Sequence, residues 1–196
     1  MSVTNVSNGN WHSNQDRVSK SIQHLNSNGD REEVAVTAEH GAGAIGTGVA
    51  PATYRWTENG TIITEMKIDL TGLNCGGTAN DAIGLLATDA CYIGRNVVAT
   101  NGIVYKMELI CLEVPATGST DINVVMSATA DIQEDEAAGT TYGVDGGTLA
   151  AGTVIQNLVP ALTANHYYYL ASGGTTNATY SAGQIIVRTY GHALLT

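Results

Sequence analysis

The sequence has no phenylalanine, only three prolines and few basic residues. Lys and Arg together number eight in 196 residues and are scattered, so the chain lacks the basic stripe that nucleic-acid and anionic-membrane binders carry. Asp and Glu number 18, which gives a formal net charge of −10. Such an acidic surface favours solubility and is compatible with a basic protein partner.

Membrane-span, zinc and thiol-redox motifs are also missing. No apolar run approaches the roughly 20 residues of a membrane helix, and the polar N-terminal region predicts no secretory signal. The cysteines form no C-x-x-C pair, which argues against a zinc or thiol-redox site, and their odd number argues against a disulfide framework. Cys111 lies in an apolar run and is predicted to be a small core residue.

Catalytic motifs are missing as well. There is no G-x-S-x-G, and the histidines form no H-x-x-x-H or H-E-x-x-H pattern. Residues 41–46 match G-x-G-x-x-G, but a dinucleotide site needs a helix to begin there. Gly48 and Pro51 follow instead, so we interpret the stretch as a loop. We therefore expect a protein that is not an enzyme and that holds no cofactor.

The 23 glycines, together with many asparagines, indicate many turns and little helix. Asn59-Gly60 lies between two β-prone segments, Tyr54–Thr57 and Thr61–Leu70, and predicts a hairpin, because both turn residues accept positive φ. The second segment alternates. Met66 and Leu70 belong to its apolar side and Glu65 and Lys67 to its polar side, which predicts one buried and one wet face.

Turn signals recur about every 8–12 residues along the rest of the chain, and this spacing is typical of a β-sandwich or jelly roll. We predict eight or nine strands in a single all-β domain over residues 33–196, of the sandwich or jelly-roll class. The further segments are Glu33–Ala38, Ile103–Val114, Ile122–Ala130, a strand within Thr148–Val159, and a last hairpin formed by His166–Leu170 and Ala182–Tyr190.

Residues 1–32 are rich in asparagine and have the composition of a polar N-terminal arm. Val18, Ile22 and Leu25 have i, i+4, i+7 spacing, which predicts a short helix within residues 14–25. Contact with a neighbouring subunit would order such an arm. The candidate interface residues in it are Trp11, Val18, Ile22 and Leu25.

Two side-chain clusters leave more than one interpretation open. Asp131, Glu134, Asp135 and Glu136 form either a solvated acidic loop, which we favour, or a Ca²⁺ site of carboxylate oxygens. The run Tyr167–Tyr169 forms either an exposed face for protein or sugar recognition or a largely core-facing group, because successive strand residues alternate between faces. Tyr167, Tyr169 and His192 complete the candidate interface residues.

Residues 166–191 (HYYYLASGGTTNATYSAGQIIVRTYG) and 81–94 (DAIGLLATDACYIG) resemble structural proteins of tailed phages, especially marine and cyanobacterial ones. The shared features are alternating strands, Gly/Thr/Ala turns and low charge. The resemblance implies a capsid decoration (cement) protein of jelly-roll type, without catalytic residues. Such a protein is assembled in the host cytoplasm and lies on the capsid exterior, where it clamps neighbouring major capsid subunits as a homo-oligomer or as lattice-bound copies.

Two other functions remain as alternatives. A head or tail fibre β-sandwich that binds host glycans would present the Tyr167–Tyr169 run on a concave surface. A hydrolase built on a jelly roll would hold paired carboxylates, or a histidine with a perturbed pKa, in a cleft.

Overall fold

The computed structural model describes residues 39–85, 89–139, 142–162 and 165–192, all within the compact unit Ala35–Thr196. The predicted arm over residues 1–32, its helix and the Glu33–Ala38 segment lie outside the described residues. So do the candidate interface residues of the arm, which are Trp11, Val18, Ile22 and Leu25.

The regular secondary structure of the described chain is almost entirely strand, which confirms the prediction of an all-β protein. Its helical elements are a 3-10 turn at Ala42–Ala44 and the short helix α1 at Val98–Asn101. The strands are β1 Ala52–Glu58, β2 Thr61–Asp69, β3 Asn74–Cys75, β4 Gly94–Asn96, β5 Ile103–Ala116, β6 Ile122–Ser127, β7 Tyr142–Val144, β8 Val154–Leu162, β9 His166–Ser172, β10 Ala178–Thr179 and β11 Ala182–His192.

The strands form three antiparallel sheets. A five-stranded sheet has the order β1-β2-β11-β5-β8, a four-stranded sheet has the order β4-β9-β6-β7, and β10 pairs with β3. Pairing is nested along the chain, since β2 pairs with β11, β4 with β9, β5 with β8 and β6 with β7. Strands that are distant in sequence are therefore neighbours in each sheet.

The predicted hairpin between the last two long strands is wrong. β9 pairs with β4 and β6 in the four-stranded sheet, whereas β11 pairs with β2 and β5 in the five-stranded sheet. The segment between β9 and β11 crosses from the four-stranded sheet to the five-stranded sheet and is well packed. Its Tyr180 is 1% exposed, and the Tyr180 hydroxyl donates a 2.9 Å hydrogen bond to the carbonyl oxygen of Ser119.

The β1–β2 hairpin has the predicted turn. Asn59 has φ 49° and Gly60 has φ 79°, the positive values that a type I′ turn requires at both central positions. The turn sets the register in which Trp56 lies opposite Ile63 and Tyr54 opposite Glu65.

One apolar core contains side chains from both large sheets. β2, β5 and β11 contribute Met66, Leu109 and Val187, while β6 and β9 contribute Val124 and Leu170. Cys111 belongs to this core and is fully buried, as predicted. The predicted apolar face of β2 is confirmed, because Met66, Ile68 and Leu70 are at most 2% exposed.

A second apolar cluster covers the other face of the four-stranded sheet. Val125 and Tyr169 lie opposite each other in β6 and β9, and they pack with Cys91 and Ile132 from the loops. Their strand neighbours Val124 and Leu170 belong to the first core. Both faces of this sheet are therefore buried at its centre.

Candidate functional site

The outer face of the five-stranded sheet is the candidate site. It comprises the strand side chains that point away from the main core. Along β11, for example, the buried core residue Val187 is followed by Arg188, which lies directly between Glu65 of β2 and Glu108 of β5. The hydrogen-bonded register of three central strands thus brings charged residues together that are far apart in the sequence.

A charged network occupies the centre of this face. Arg188 donates from Nε and Nη2 to Glu65 Oε2 at 3.0 and 2.5 Å, and from Nη1 to Glu108 Oε2 at 3.5 Å. The Tyr190 hydroxyl donates to Glu108 Oε2 at 2.6 Å, and Lys106 Nζ lies 2.7 Å from Glu108 Oε1. Lys106 Nζ also lies 4.5 Å from the centre of the Tyr190 ring.

The partners of Glu108 hold it as a carboxylate. Burial alone would raise its pKa, but the hydrogen bonds from Lys106 and Tyr190 outweigh burial and the pKa is lowered. The hydrogen bond to Glu108 in turn raises the pKa of Lys106. A general acid of a glycosidase needs a carboxyl group with a raised pKa. The chemistry of Glu108 is the opposite of that, so this carboxylate cluster is suited to cross-linking strands.

An apolar patch lies at one end of the same face. We define it as Val49 and Leu112, whose side chains are 73% and 51% exposed. Val49 and Leu112 line a cleft of about 230 Å³ with Tyr54 and Gln184. Surface apolar residues that are grouped around a depression mark interaction sites in soluble proteins.

Asp69 fixes the loop that carries Val49. Its Oδ2 accepts a hydrogen bond from the Val49 N–H at 3.2 Å, and its Oδ1 accepts one from the Thr71 N–H at 3.0 Å. Burial raises the pKa of Asp69, but these backbone donors outweigh burial and the pKa is lowered. The apolar patch is therefore held in place by an ionised side chain at the end of β2.

The predicted tyrosine cluster is not an exposed recognition face. Tyr168 and Tyr169 are at most 1% exposed, and only Tyr167 is half-buried, with its ring 5.0 Å from Tyr92 in an edge-to-face contact. The Tyr169 hydroxyl donates to the Thr129 carbonyl oxygen at 2.8 Å. Naming Tyr169 as an interface residue was therefore wrong, because both faces of its sheet are covered.

His192 and Tyr167 lie on different sheets. His192 is exposed at the end of β11, where its ring stacks on Tyr105 with centres 4.4 Å apart and planes 12° from parallel. Tyr167 belongs to β9 of the four-stranded sheet. The two remaining candidate interface residues of the described chain therefore do not form one site.

The acidic cluster spreads between surface and interior. Glu134 is 8% exposed and accepts a 2.6 Å hydrogen bond from Asn74 Nδ2, while Glu136 accepts one from the Gln133 N–H at 2.8 Å. Asp131 and Asp135 are exposed. Among the described residues, no group of three or more His, Cys, Asp or Glu side chains could hold a metal ion.

Residues 41–46 form a packed loop, as the absence of a helical pattern predicts. The N–H groups of Gly41 and Gly43 donate to the carbonyl oxygens of Tyr92 and Ala90 at 2.8 and 2.9 Å. A Cβ at Gly41 would lie 2.0 Å from the Ala90 oxygen. The glycines therefore allow two backbone segments to approach closely, and the only helical structure in this loop is the 3-10 turn.

No protein-family model, curated protein or solved structure matches this chain. Over the described ranges, no helix is both long enough and apolar enough to cross a membrane.

Sequence reasoning missed both the charged network and the apolar patch. Part of the signal for the patch was present, since Leu112 continues the alternation of Lys106 and Glu108 along β5, and in the structure it lines the cleft with Gln184. The network left no local signal, because Arg188 and its two carboxylate partners meet only through strand pairing.

Proposed function

We propose that this chain is a virion structural protein, a capsid decoration protein that clamps neighbouring major capsid subunits on the outside of a phage head. The observation that carries the proposal is the apolar patch beside its cleft on the outer face of the five-stranded sheet. A decoration protein needs such a surface, because burial of apolar area against the shell provides the affinity.

The finer fold in this proposal is a β-sandwich of jelly-roll type. A jelly roll is a long nested hairpin rolled into two sheets, so its first strand pairs with its last, its second with its second last, and so on. The pairs β2–β11, β4–β9, β5–β8 and β6–β7 follow this order and support that assignment. Jelly rolls serve viral capsids and lectins alike, so the fold supports the function only as an analogy.

The charged network favours a docking role over catalysis at this face. Glu108 has hydrogen-bonding or ionic contacts to three side chains, and its pKa is lowered. Cross-strand ion pairs of this kind stiffen the sheet beneath the apolar patch. A rigid platform binds a partner with a smaller loss of conformational entropy.

The glycan-binding alternative has less support. It relied on the Tyr167–Tyr169 run as an exposed aromatic surface, and two of these three rings are buried. The residues of the apolar patch are aliphatic, whereas sugar recognition relies on aromatic rings and hydrogen-bonding groups.

Residues 1–32 serve in this proposal as an arm that contacts the capsid. Ordering a polar arm costs roughly 1–2 kcal/mol per residue. Contacts at several lattice sites offset that cost, because the second and later contacts form at a high effective concentration.

Co-sedimentation with DNA-free phage heads tests the proposal. Full-length protein and a variant lacking residues 1–32 are titrated onto a panel of empty heads from tailed phages of marine and cyanobacterial hosts. We expect saturable binding of the full chain, weaker binding of the deletion variant, and heads that resist heating better when decorated. If the full chain shows no saturable binding to any head in the panel, the proposal is contradicted.

A further inference from the structure

Strand β8 forms one edge of the five-stranded sheet, and over Val154–Leu158 it carries none of the usual protection of an edge. It pairs with β5, and within the described chain no strand follows it in the sheet order. Its sequence, VIQNLVPAL, contains no ionisable residue. Natural edge strands usually carry lysines, inward-pointing charges or bulges that prevent pairing with another chain. β8 has two such devices, Pro160 and a register shift against β5 between Leu158 and Leu162, and both lie near its end.

The exposed side chains of β8 form a short self-complementary row. Val154 and Leu158 are 57% and 75% exposed, and Gln156 between them is also exposed on the same face. A shallow depression of about 560 Å³ is lined by Gln156, Asn157, Leu158 and Lys106. Gln156 and Asn157 point to opposite faces, so this depression follows the open edge of the strand.

We propose that β8 pairs with β8 of a second copy of this chain, antiparallel and around a two-fold axis at Gln156. In this register Val154 lies opposite Leu158 of the second copy, and the two Gln156 side chains lie opposite each other. Apolar residues thus meet apolar residues and amide meets amide, as an isologous contact requires. The contact joins five strands from each copy into one continuous sheet.

Charge identifies a second copy as the occupant. Each chain has a net charge of −10, so two copies repel each other wherever acidic surfaces meet. β8 offers a strip without ionisable groups, and the two charged residues opposite it on β5, Lys106 and Glu108, form an ion pair at 2.7 Å. A basic partner would instead be attracted to the acidic parts of the surface.

The two-fold symmetry of this dimer would also affect how it binds a capsid. This consequence rests on the proposed function. A two-fold axis at Gln156 runs perpendicular to the sheet, so the outer faces of both copies point to the same side. The two apolar patches would then face one surface together and bind it with the gain in affinity that linked sites provide.

Sedimentation equilibrium of the purified full chain tests the dimer. We expect a mass of twice the 20.3 kDa of one chain at micromolar concentration. Gln156→Glu and Gln156→Lys each place like charges opposite each other across the axis, so each variant alone should sediment as a monomer. An equimolar mixture of the two variants should restore the dimer, because a carboxylate then faces an ammonium group.

Gln184→Glu is the matched control. Gln184 is exposed on the outer face of the central strand β11 and lies opposite Asp69 and Glu113, as Gln156 lies opposite Glu108. We expect this variant to remain dimeric. Circular dichroism and thermal unfolding show whether each monomeric variant is folded.

Three outcomes would overturn the inference: a monomeric wild-type chain, a dimeric Gln156→Glu variant, or a mixture of the two Gln156 variants that stays monomeric. The result is independent of the capsid experiment. If the chain is monomeric but sediments with phage heads, only the dimer is refuted. If it is dimeric but binds no head in the panel, only the proposed function is refuted.

Discussion

At the residue scale, Glu108 is the side chain on which the outer face depends most. It joins Lys106, Tyr190 and Arg188, which lie on two adjacent strands. Removing one member of such a network leaves the remaining donors without their acceptor in a half-buried position. The loss is moderated by solvent, because the Lys106 and Arg188 side chains are each 26% exposed.

Glu108→Gln should lower the free energy of unfolding at neutral pH by about 1–3 kcal/mol, nearer the lower value because of that exposure. Urea denaturation measures the change. Glu113→Gln is the control, since Glu113 is an exposed carboxylate on the same strand and should have little effect.

The effect of Glu108→Gln should depend on pH. The pKa of Glu108 in the folded protein is below its ordinary value of 4.5, so the carboxylate stabilises the fold above that value. This stabilisation is lost as the pH falls through the lowered pKa. The difference between wild type and variant should therefore shrink in acid, and a difference that stays constant down to about pH 3 would contradict this assignment.

The three cysteines should be inert thiols in the folded protein. All are fully buried, and burial raises the pKa of Cys91 to about 12, so almost no thiolate forms near neutral pH. An aromatic disulfide reagent such as Ellman's reagent should react slowly with native protein and rapidly with all three thiols in guanidinium chloride. Rapid labelling of any thiol in the native state would show that the core opens locally.

At the scale of elements, the β1–β2 turn was predictable because it is a local device. Asn59-Gly60 needs only two residues with positive φ between alternating segments, and both the sequence and the structure have them. The predicted core face of β2 was right for the same reason. Its predicted wet face was only partly right, since Ile63 and Glu65 are 6% and 9% exposed beneath residues of neighbouring strands.

Gly60→Ala should destabilise the protein by about 1 kcal/mol, because alanine at φ 79° is strained although nothing lies within 4 Å of the added methyl group. Thermal or urea unfolding measures the loss. Gly77→Ala is the control, because its added carbon makes only ordinary contacts, 3.5 Å from Asn177. Equal effects of the two variants would show that the turn conformation does not limit stability.

Another Asn-Gly in the sequence, Asn101-Gly102, does not form a hairpin turn. Gly102 has φ 70° and ends α1, with its N–H donating to the Val98 carbonyl oxygen at 3.0 Å. Asn101 is buried and donates from Nδ2 to Thr64 Oγ1 at 3.0 Å. The same dipeptide therefore ends a helix between strands of different sheets, where Asn101 contacts both the local residue Val97 and the distant residue Thr64.

At the scale of the whole molecule, nested pairing explains which predictions failed. The strand segments are visible in the sequence as alternating runs, but the partner of each strand lies many residues away. The expected β9–β11 hairpin followed the usual preference for neighbours in sequence, whereas nesting pairs β11 with β2 and β9 with β4. The outer face is a product of that pairing, so its network and patch could not be assembled from local patterns.

In our account the two large sheets have different roles. Loop residues cover the outer face of the four-stranded sheet, including Cys91 and Ile132. The five-stranded sheet keeps its apolar patch and the neutral edge of β8 at the surface. We infer that the first sheet stabilises the body and that the second carries the contacts with other molecules.

The most direct test of this account is the binding of Leu112→Lys to empty phage heads, measured by co-sedimentation beside wild type and Leu85→Lys. Leu112 belongs to the apolar patch, whereas Leu85 is 40% exposed outside the five-stranded sheet and receives the same chemical change. The account predicts at least tenfold weaker binding for Leu112→Lys, about 1.4 kcal/mol, and nearly unchanged binding for Leu85→Lys. Equal binding of all three proteins would contradict the claim that the outer face of the five-stranded sheet docks on the capsid.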